Sequence, residues 1–171
     1  DNLEVYHSQL NAGTGGMTNF VFENNTSGGD EVFCMSTDDY GVNFGTTNFG
    51  SGSYPRVAGG RSYVGVAFGQ DPSGGYVENS SLAVSRDGGM SFRATADTSM
   101  GTSTGDADYT EIAYSADYDN FIVGSVEDRT GQNQMYVGGS RAALLEPVVD
   151  ATAHTIQVNI SGVGIQGTPS R

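Results

Sequence analysis

Apolar residues along this chain come in short runs that alternate with polar neighbours, and clusters of Gly, Asn, Asp and Ser break the runs apart. Ile156, Val158 and Ile160 set against polar neighbours show the pattern at its clearest. A period of two places alternate side chains on opposite faces, so such a run predicts a half-buried strand. On this basis strands are expected at Leu3 to Leu10, Met17 to Glu23, Glu31 to Ser36, Phe44 to Asn48, Tyr54 to Ala58 and Tyr63 to Phe68. Further strands are expected at Ser81 to Ser85, Ser91 to Ala96, Thr110 to Tyr114, Phe121 to Val126, Gln134 to Val137 and Thr155 to Ile160. No long helical period is visible. The most helix-like stretch, Arg141 to Leu145, is stopped by Glu146-Pro147 after about one turn. The tail from Gly162 to Arg171 reads as loop or linker.

The order of these runs repeats. Thr18 to Phe22, a loop from Asn24 to Gly29 and then Glu31 to Met35 form one copy. Tyr63 to Phe68, a loop from Gln70 to Tyr76 and then Ser81 to Val84 form the next. A third runs from Phe121 to Val126 through Glu127 to Gly131 into Gln134 to Val137. Each copy is preceded by another short strand, as with Tyr54 to Ala58 and Thr110 to Tyr114. Internal repeats of several tens of residues with about four strands each are what propeller blades look like in sequence. Composition agrees: 26 Gly is about twice the usual share and calls for many tight turns, while nine Tyr and eight Phe supply bulky strand residues. The fold class expected is all-β.

Two segments occupy the same place in the first two copies: Thr37-Asp38-Asp39-Tyr40-Gly41-Val42-Asn43-Phe44 and Ser85-Arg86-Asp87-Gly88-Gly89-Met90-Ser91-Phe92. Both read hydroxyl-x-Asp-x-Gly-x-polar-aromatic. A carboxylate at a turn accepts from backbone N–H groups one to three residues on, and Gly two residues later supplies the positive φ. The hydroxyl ties the incoming strand to the outgoing one, and the aromatic folds back as a small plug. Thr37, Asp39, Gly41 and Phe44, with Ser85, Asp87, Gly89 and Phe92, are therefore expected to be structural corners between strands. The second segment closely resembles the Asp box, or BNR repeat, of sialidase-like β-propellers. The first is similar, with Thr37 for the opening Ser and Asn43 for the later hydroxyl. The resemblance spans about residues 17 to 140, and the third copy lacks the box, since Ser140-Arg141 leads into Ala142. It implies blades whose Asp boxes lie far from the ligand face, in an extracellular, secreted or surface-associated protein.

Residues 1–150 are read as one Asp-box β-repeat domain of about three four-stranded units, and 151–171 as a C-terminal strand and tail. Complete propellers usually need at least four blades. Three resolutions are open: two chains closing one ring, a piece of a longer propeller, or a compact β-sandwich that uses the same corners.

Charge narrows the partners. Twenty acidic residues against seven Arg and no Lys give a net of -13. A nucleic-acid or anionic-membrane partner needs a basic footprint that this chain lacks. No stretch approaches the roughly 18 apolar residues of a membrane span. The chain begins Asp1-Asn2 without Met, as expected of a processed chain or a trimmed one. The lone Cys34, in Val32-Phe33-Cys34-Met35, is expected to be a buried, inert thiol.

Candidate chemistry is sparse. Sialidase-like enzymes, which the corners resemble, use an arginine cluster, a Tyr nucleophile with a Glu partner and an acidic proton donor. Here Arg56, Arg61, Arg86, Arg93, Arg129 and Arg141 would have to supply the cluster, and the Arg-Ile-Pro segment of those enzymes is absent. Glu111 with Asp106 or Asp108, and Glu127 with Asp128, are pairs of the kind that run glycoside hydrolysis, but nothing in the sequence brings them together. No catalytic residue is assigned. Gly105 to Glu111 sets Asp106, Asp108 and Glu111 on an extended loop, an oxygen-rich spacing of the kind calcium takes; otherwise no cofactor is expected. Tyr54, Tyr76, Tyr109 and Tyr118 are candidates to stack on sugar faces. The function expected is a non-catalytic surface β-module for glycan or protein binding or for assembly, with self-association among its partners. The alternative is part of a sialidase-like glycoside hydrolase.

Overall fold

The computed structural model describes residues 4–12, 17–26, 28–60, 62–70, 79–93, 96–97, 107–117, 120–128, 133–141, 156–160 and 165–167. Among the described residues every regular element is a strand, and every strand pairing is antiparallel. The chain is all-β, an architecture compatible with propeller-type blades or a β-sandwich.

The strands are β1 (Glu4–Ala12), β2 (Thr18–Thr26), β3 (Gly29–Thr37), β4 (Gly45–Gly60), β5 (Tyr63–Gln70), β6 (Asn79–Ser85) and β7 (Ala96–Asp97). They are followed by β8 (Ala107–Ser115), β9 (Asn120–Asp128), β10 (Asn133–Arg141), β11 (Ile156–Ile160) and β12 (Ile165–Gly167). The first seven form one sheet in chain order, and the last five form a second in the order β12-β11-β10-β9-β8. Neighbours in sequence are therefore neighbours in space.

β4 does two jobs. Residues 45–51 pair with β3, and 52–60 pair with β5. The expected strands Phe44 to Asn48 and Tyr54 to Ala58 are thus the two halves of one strand. Phe49 is the extra residue of a bulge opposite Val32 and Phe33, and Gly50 takes a φ of 88° while its N–H donates to Asn48 Oδ1 at 2.7 Å. Bulges bend a strand and increase its twist, so one strand can serve two layers. Three units of about four strands result: β1 to the first half of β4; the second half of β4 to β7; and β8 to β12.

The second unit is the middle layer, and its sequence says why. β5 reads Tyr-Val-Gly-Val-Ala-Phe with almost no polar relief, as expected of a strand buried on both faces. Val64, Val66 and Phe68 join Ala83, Val57 and, from the first unit, Val21, Val32 and Cys34 in one core, with Phe49 and Phe92 packed against it. The opposite face gives Ala67, Leu82 and Val84 to a second core with Phe121 and Val123 of the third unit, lined by Tyr63, Ile112 and Tyr114. Gly65 permits this approach, because a Cβ there would lie 2.7 Å from the Phe121 ring and 2.9 Å from Ile112 Cδ1. Cys34 lies in the first core, and burial pushes its thiol up to about 11 despite a contact with Ser36 Oγ at 3.5 Å. The thiol is buried, as expected.

Of the expected strand Ser91 to Ala96, Ser91 to Arg93 stay outside any strand, because Ser91 N–H is taken by Asp87 and Arg93 N–H by the Val84 carbonyl at 3.1 Å; Ala96 opens β7, and residues 94–95 lie outside the described residues. β12 forms inside the expected tail, and β11 pairs with β10. Of the helix-like stretch, Arg141 ends β10 and the remainder lies outside the described residues.

Candidate functional site

Both corners place the predicted residues in mutual reach. In the first, Thr37 Oγ1 donates to Asp39 Oδ1 at 2.8 Å and accepts from Gly41 N–H at 3.0 Å. Asp39 accepts from the N–H groups of Val42 at 3.0 Å and Asn43 at 2.9 Å, and from Asn43 Nδ2 at 2.6 Å. In the second, Ser85 Oγ donates to Asp87 Oδ1 at 2.7 Å and accepts from Gly89 N–H at 2.7 Å. Asp87 accepts from Ser91 N–H at 2.8 Å and from the Ser91 hydroxyl. Each corner turns on two consecutive left-handed residues: Tyr40 (φ 61°) and Gly41 (φ 86°), then Gly88 (φ 76°) and Gly89 (φ 97°).

These bonds favour the ionised carboxylates. The Asn43 backbone N–H, its side-chain amide and the Thr37 hydroxyl hold Asp39 well below its ordinary 3.8, at about 2. Desolvation pulls Asp87 upward, but the Ser91 and Ser85 hydroxyls and the Ser91 N–H outweigh it, and the net shift is downward. A carboxylate saturated by the amides of its own turn is a poor general acid or base.

The aromatic positions diverge. Phe92 is half-buried, edge-on to Phe49 with ring centroids 5.1 Å apart. Phe44 folds over its own corner, 3.6 Å from where a Gly41 Cβ would sit, but leaves half its surface in solvent. The second corner also reaches across to the first unit. A Cβ on Gly89 would fall on Asn19 Oδ1 and Ser36 Oγ, which are themselves hydrogen-bonded at 2.8 Å, and one on Gly88 would fall on Met17.

At the other end of the strands a different cluster forms. Pro55 lacks an N–H, so the β4–β5 ladder cannot run through it, and the register slips between Ser53 and Arg56. Tyr54 is left in the bulge at φ 50°. β8 slips in the same way between Asp108 and Thr110, leaving Tyr109 at φ 54°. The two bulged tyrosines meet with ring centroids 5.1 Å apart at 38°. Tyr54 is held from both sides: its N–H donates to Glu23 Oε2 at 3.0 Å, and its carbonyl accepts from Thr110 Oγ1 at 2.6 Å. Arg56 Nε lies 3.2 Å from Glu111 Oε1 beside them. Tyr109 is 59% exposed.

The proline was the readable signal for the first bulge. Nothing in the local sequence marks the second, which depends on how β8 packs on the middle unit. Arg56, a candidate for an arginine cluster, and Glu111, a candidate acid and calcium ligand, are partners of each other. Arg86 and Arg93 belong to the corner end, while Arg61, Arg129, Tyr76, Tyr118 and Asp106 lie outside the described residues, as do the side chains of Asp108, Glu127, Asp128 and Arg141. Among the described residues no group of three or more His, Cys, Asp or Glu is placed to hold a metal ion, and no helix is long and apolar enough to cross a membrane. Comparison of the chain with family models, with curated proteins and with solved structures finds no match to any.

Proposed function

We propose that this chain is a non-catalytic, extracellular or surface-associated binding module, and that its ligand is a neutral glycan held at the Tyr54–Tyr109 cluster. One observation carries the reading: two separate bulges, on strands from different units, hold tyrosines in left-handed backbone so that their rings meet beside an Arg–Glu pair. Left-handed backbone on a bulky residue costs of order 1–3 kcal/mol and concentrates at ligand sites. Tyrosine gives a rigid, amphipathic contact surface at low entropic cost. A pyranose offers an apolar C–H face to such a ring and hydroxyls around its rim. The Arg56 guanidinium donates to those hydroxyls and the Glu111 carboxylate accepts from them. The corners support the Asp-box reading, since hydroxyl, carboxylate and glycine make the bonds that motif calls for, and both carboxylates are spent on structure.

The test is titration of a panel of neutral hexose and N-acetylhexosamine oligosaccharides, read by calorimetry and by tyrosine fluorescence. Binding to at least one is expected, weakened about tenfold or more by Tyr109→Ala, with the melting midpoint nearly unchanged because the ring is largely exposed. Absence of binding across the panel rejects the proposal. Turnover of a sialoside reporter, lost on Arg56→Ala, replaces it with a hydrolase.

A further inference from the structure

The Tyr54–Tyr109 contact joins two units as well as two rings. Tyr54 stands in the second half of β4, in the middle unit, and Tyr109 in β8, in the third. Neighbouring side chains fix the two backbones to each other. Thr110, next after Tyr109, donates from its hydroxyl to the Tyr54 carbonyl at 2.6 Å. Arg56, two beyond Tyr54, meets Glu111, two beyond Tyr109, at 3.2 Å. Thr110 is fully buried, so water does not compete for its bond. The rings are thus held in one relative position, with centroids 5.1 Å apart and planes tilted at 38°. Rings at that separation are in direct contact. Tyr109 is 59% exposed and Tyr54 half-buried, which leaves the pair open to solvent.

A phenol is a ready one-electron donor, surpassed among side chains by an indole or a thiolate. This chain has no Trp, and its single thiol is buried in the first core. Tyrosine is therefore what its surface offers to a one-electron oxidant. We propose that Tyr54 and Tyr109 form an oxidative modification site, coupled to dityrosine by a haem peroxidase with hydrogen peroxide, and that the link staples the third unit to the middle one. Each phenol gives up one electron and its hydroxyl proton, leaving a phenoxyl radical with spin on the carbons ortho to oxygen. One carbon–carbon bond forms between an ortho carbon of each ring. The hydrogen on each of those carbons then passes through water to its own ring oxygen, and both phenols are restored. Two electrons and two protons have left the pair, and they reduce one hydrogen peroxide to two waters. Rings already in contact turn a rare encounter of two short-lived radicals into a step within one molecule.

Other tyrosines are placed less well. Tyr63 and Tyr114 also meet, but at 6.5 Å and against the second core, where Tyr114 packs on Phe121. Tyr40 is 85% exposed, but it shares its groove with Leu10, Phe20, Met35 and Phe44 and with no second tyrosine. A bond from residue 54 to residue 109 closes a long loop, and like a disulfide it takes entropy from the unfolded chain. Coupling needs the ring contact and no sugar, so it stands or falls apart from glycan binding.

The full chain, dilute enough to disfavour coupling between molecules, is treated with a haem peroxidase and limiting hydrogen peroxide. A monomer lighter by two hydrogen atoms is expected, with dityrosine fluorescence and a peptide map that joins the Tyr54 and Tyr109 peptides. Its melting midpoint should rise by on the order of several degrees. Tyr54→Phe and Tyr109→Phe keep the ring and lose the phenol, so each abolishes the link, whereas Tyr63→Phe leaves it. In concentrated urea the selectivity is lost and coupling spreads over the nine tyrosines, because the contact exists only in the fold. A link that survives Tyr109→Phe overturns the proposal, as does coupling only between chains. So does an absence of dityrosine under conditions that couple free tyrosine, or an unshifted midpoint in the linked chain.

Discussion

Asp39 accepts from the Val42 and Asn43 N–H groups, the Asn43 amide and the Thr37 hydroxyl, and Asp87 has a matching set. Protonation would break these bonds, so the corners are linked to pH. The folded carboxylates lie below their unfolded value, about 3.9 for Asp. Their contribution is therefore complete above that value and is lost as pH falls through the folded one, near 2 for Asp39. The melting midpoint is expected to drop between about pH 4 and pH 2, and the drop should shrink in Asp39→Asn and Asp87→Asn chains, which start from a lower plateau. Thermal melts across that range check it. The Thr37, Asp39 and Gly41 roles were legible in the sequence because they act within eight residues. Phe44 was not, because whether an aromatic is covered depends on the layer beside it.

At the scale of the element, the decisive pieces are the bulges and the thin places. Periodicity located the strands, yet it divided β4 in two, since the Gly50 to Ser53 stretch reads as a break between Phe44 to Asn48 and Tyr54 to Ala58. The structure keeps one strand through them by bulging twice. Gly65 is a thin place of another kind, a gap in the middle unit that receives Phe121 and Ile112. Gly65→Val supplies a good strand residue but overfills that space. Overpacking costs about 1–3 kcal/mol, so the variant should melt earlier, with a changed environment for Tyr114 and Phe121, which pack at 5.0 Å. Near-ultraviolet circular dichroism with denaturant titration measures both. An unchanged midpoint would mean that the third unit does not rest on the middle one as described.

For the whole molecule, charge and layering act together. The net charge of -13 is confined to the first 132 residues, where 18 acids face five Arg, while the remaining two acids and two Arg cancel. Self-repulsion in that part opposes the compact state and is screened by salt within about 10 Å at 0.1 M. Raising ionic strength is therefore expected to raise the melting midpoint, as followed by differential scanning calorimetry in a salt series; a falling midpoint would show that attractive ion pairs dominate instead. The three-unit repeat, the all-β class and the corners follow from the order of residues alone, because hairpins and turns are local and a period of two is visible in any window. Which faces are covered, where Tyr54 meets Tyr109 and why Arg56 answers Glu111 were decided by the stacking of units, which brings together residues some fifty positions apart. Contacts at that separation leave no periodic trace in the chain; they exist only once the middle unit has buried both of its faces.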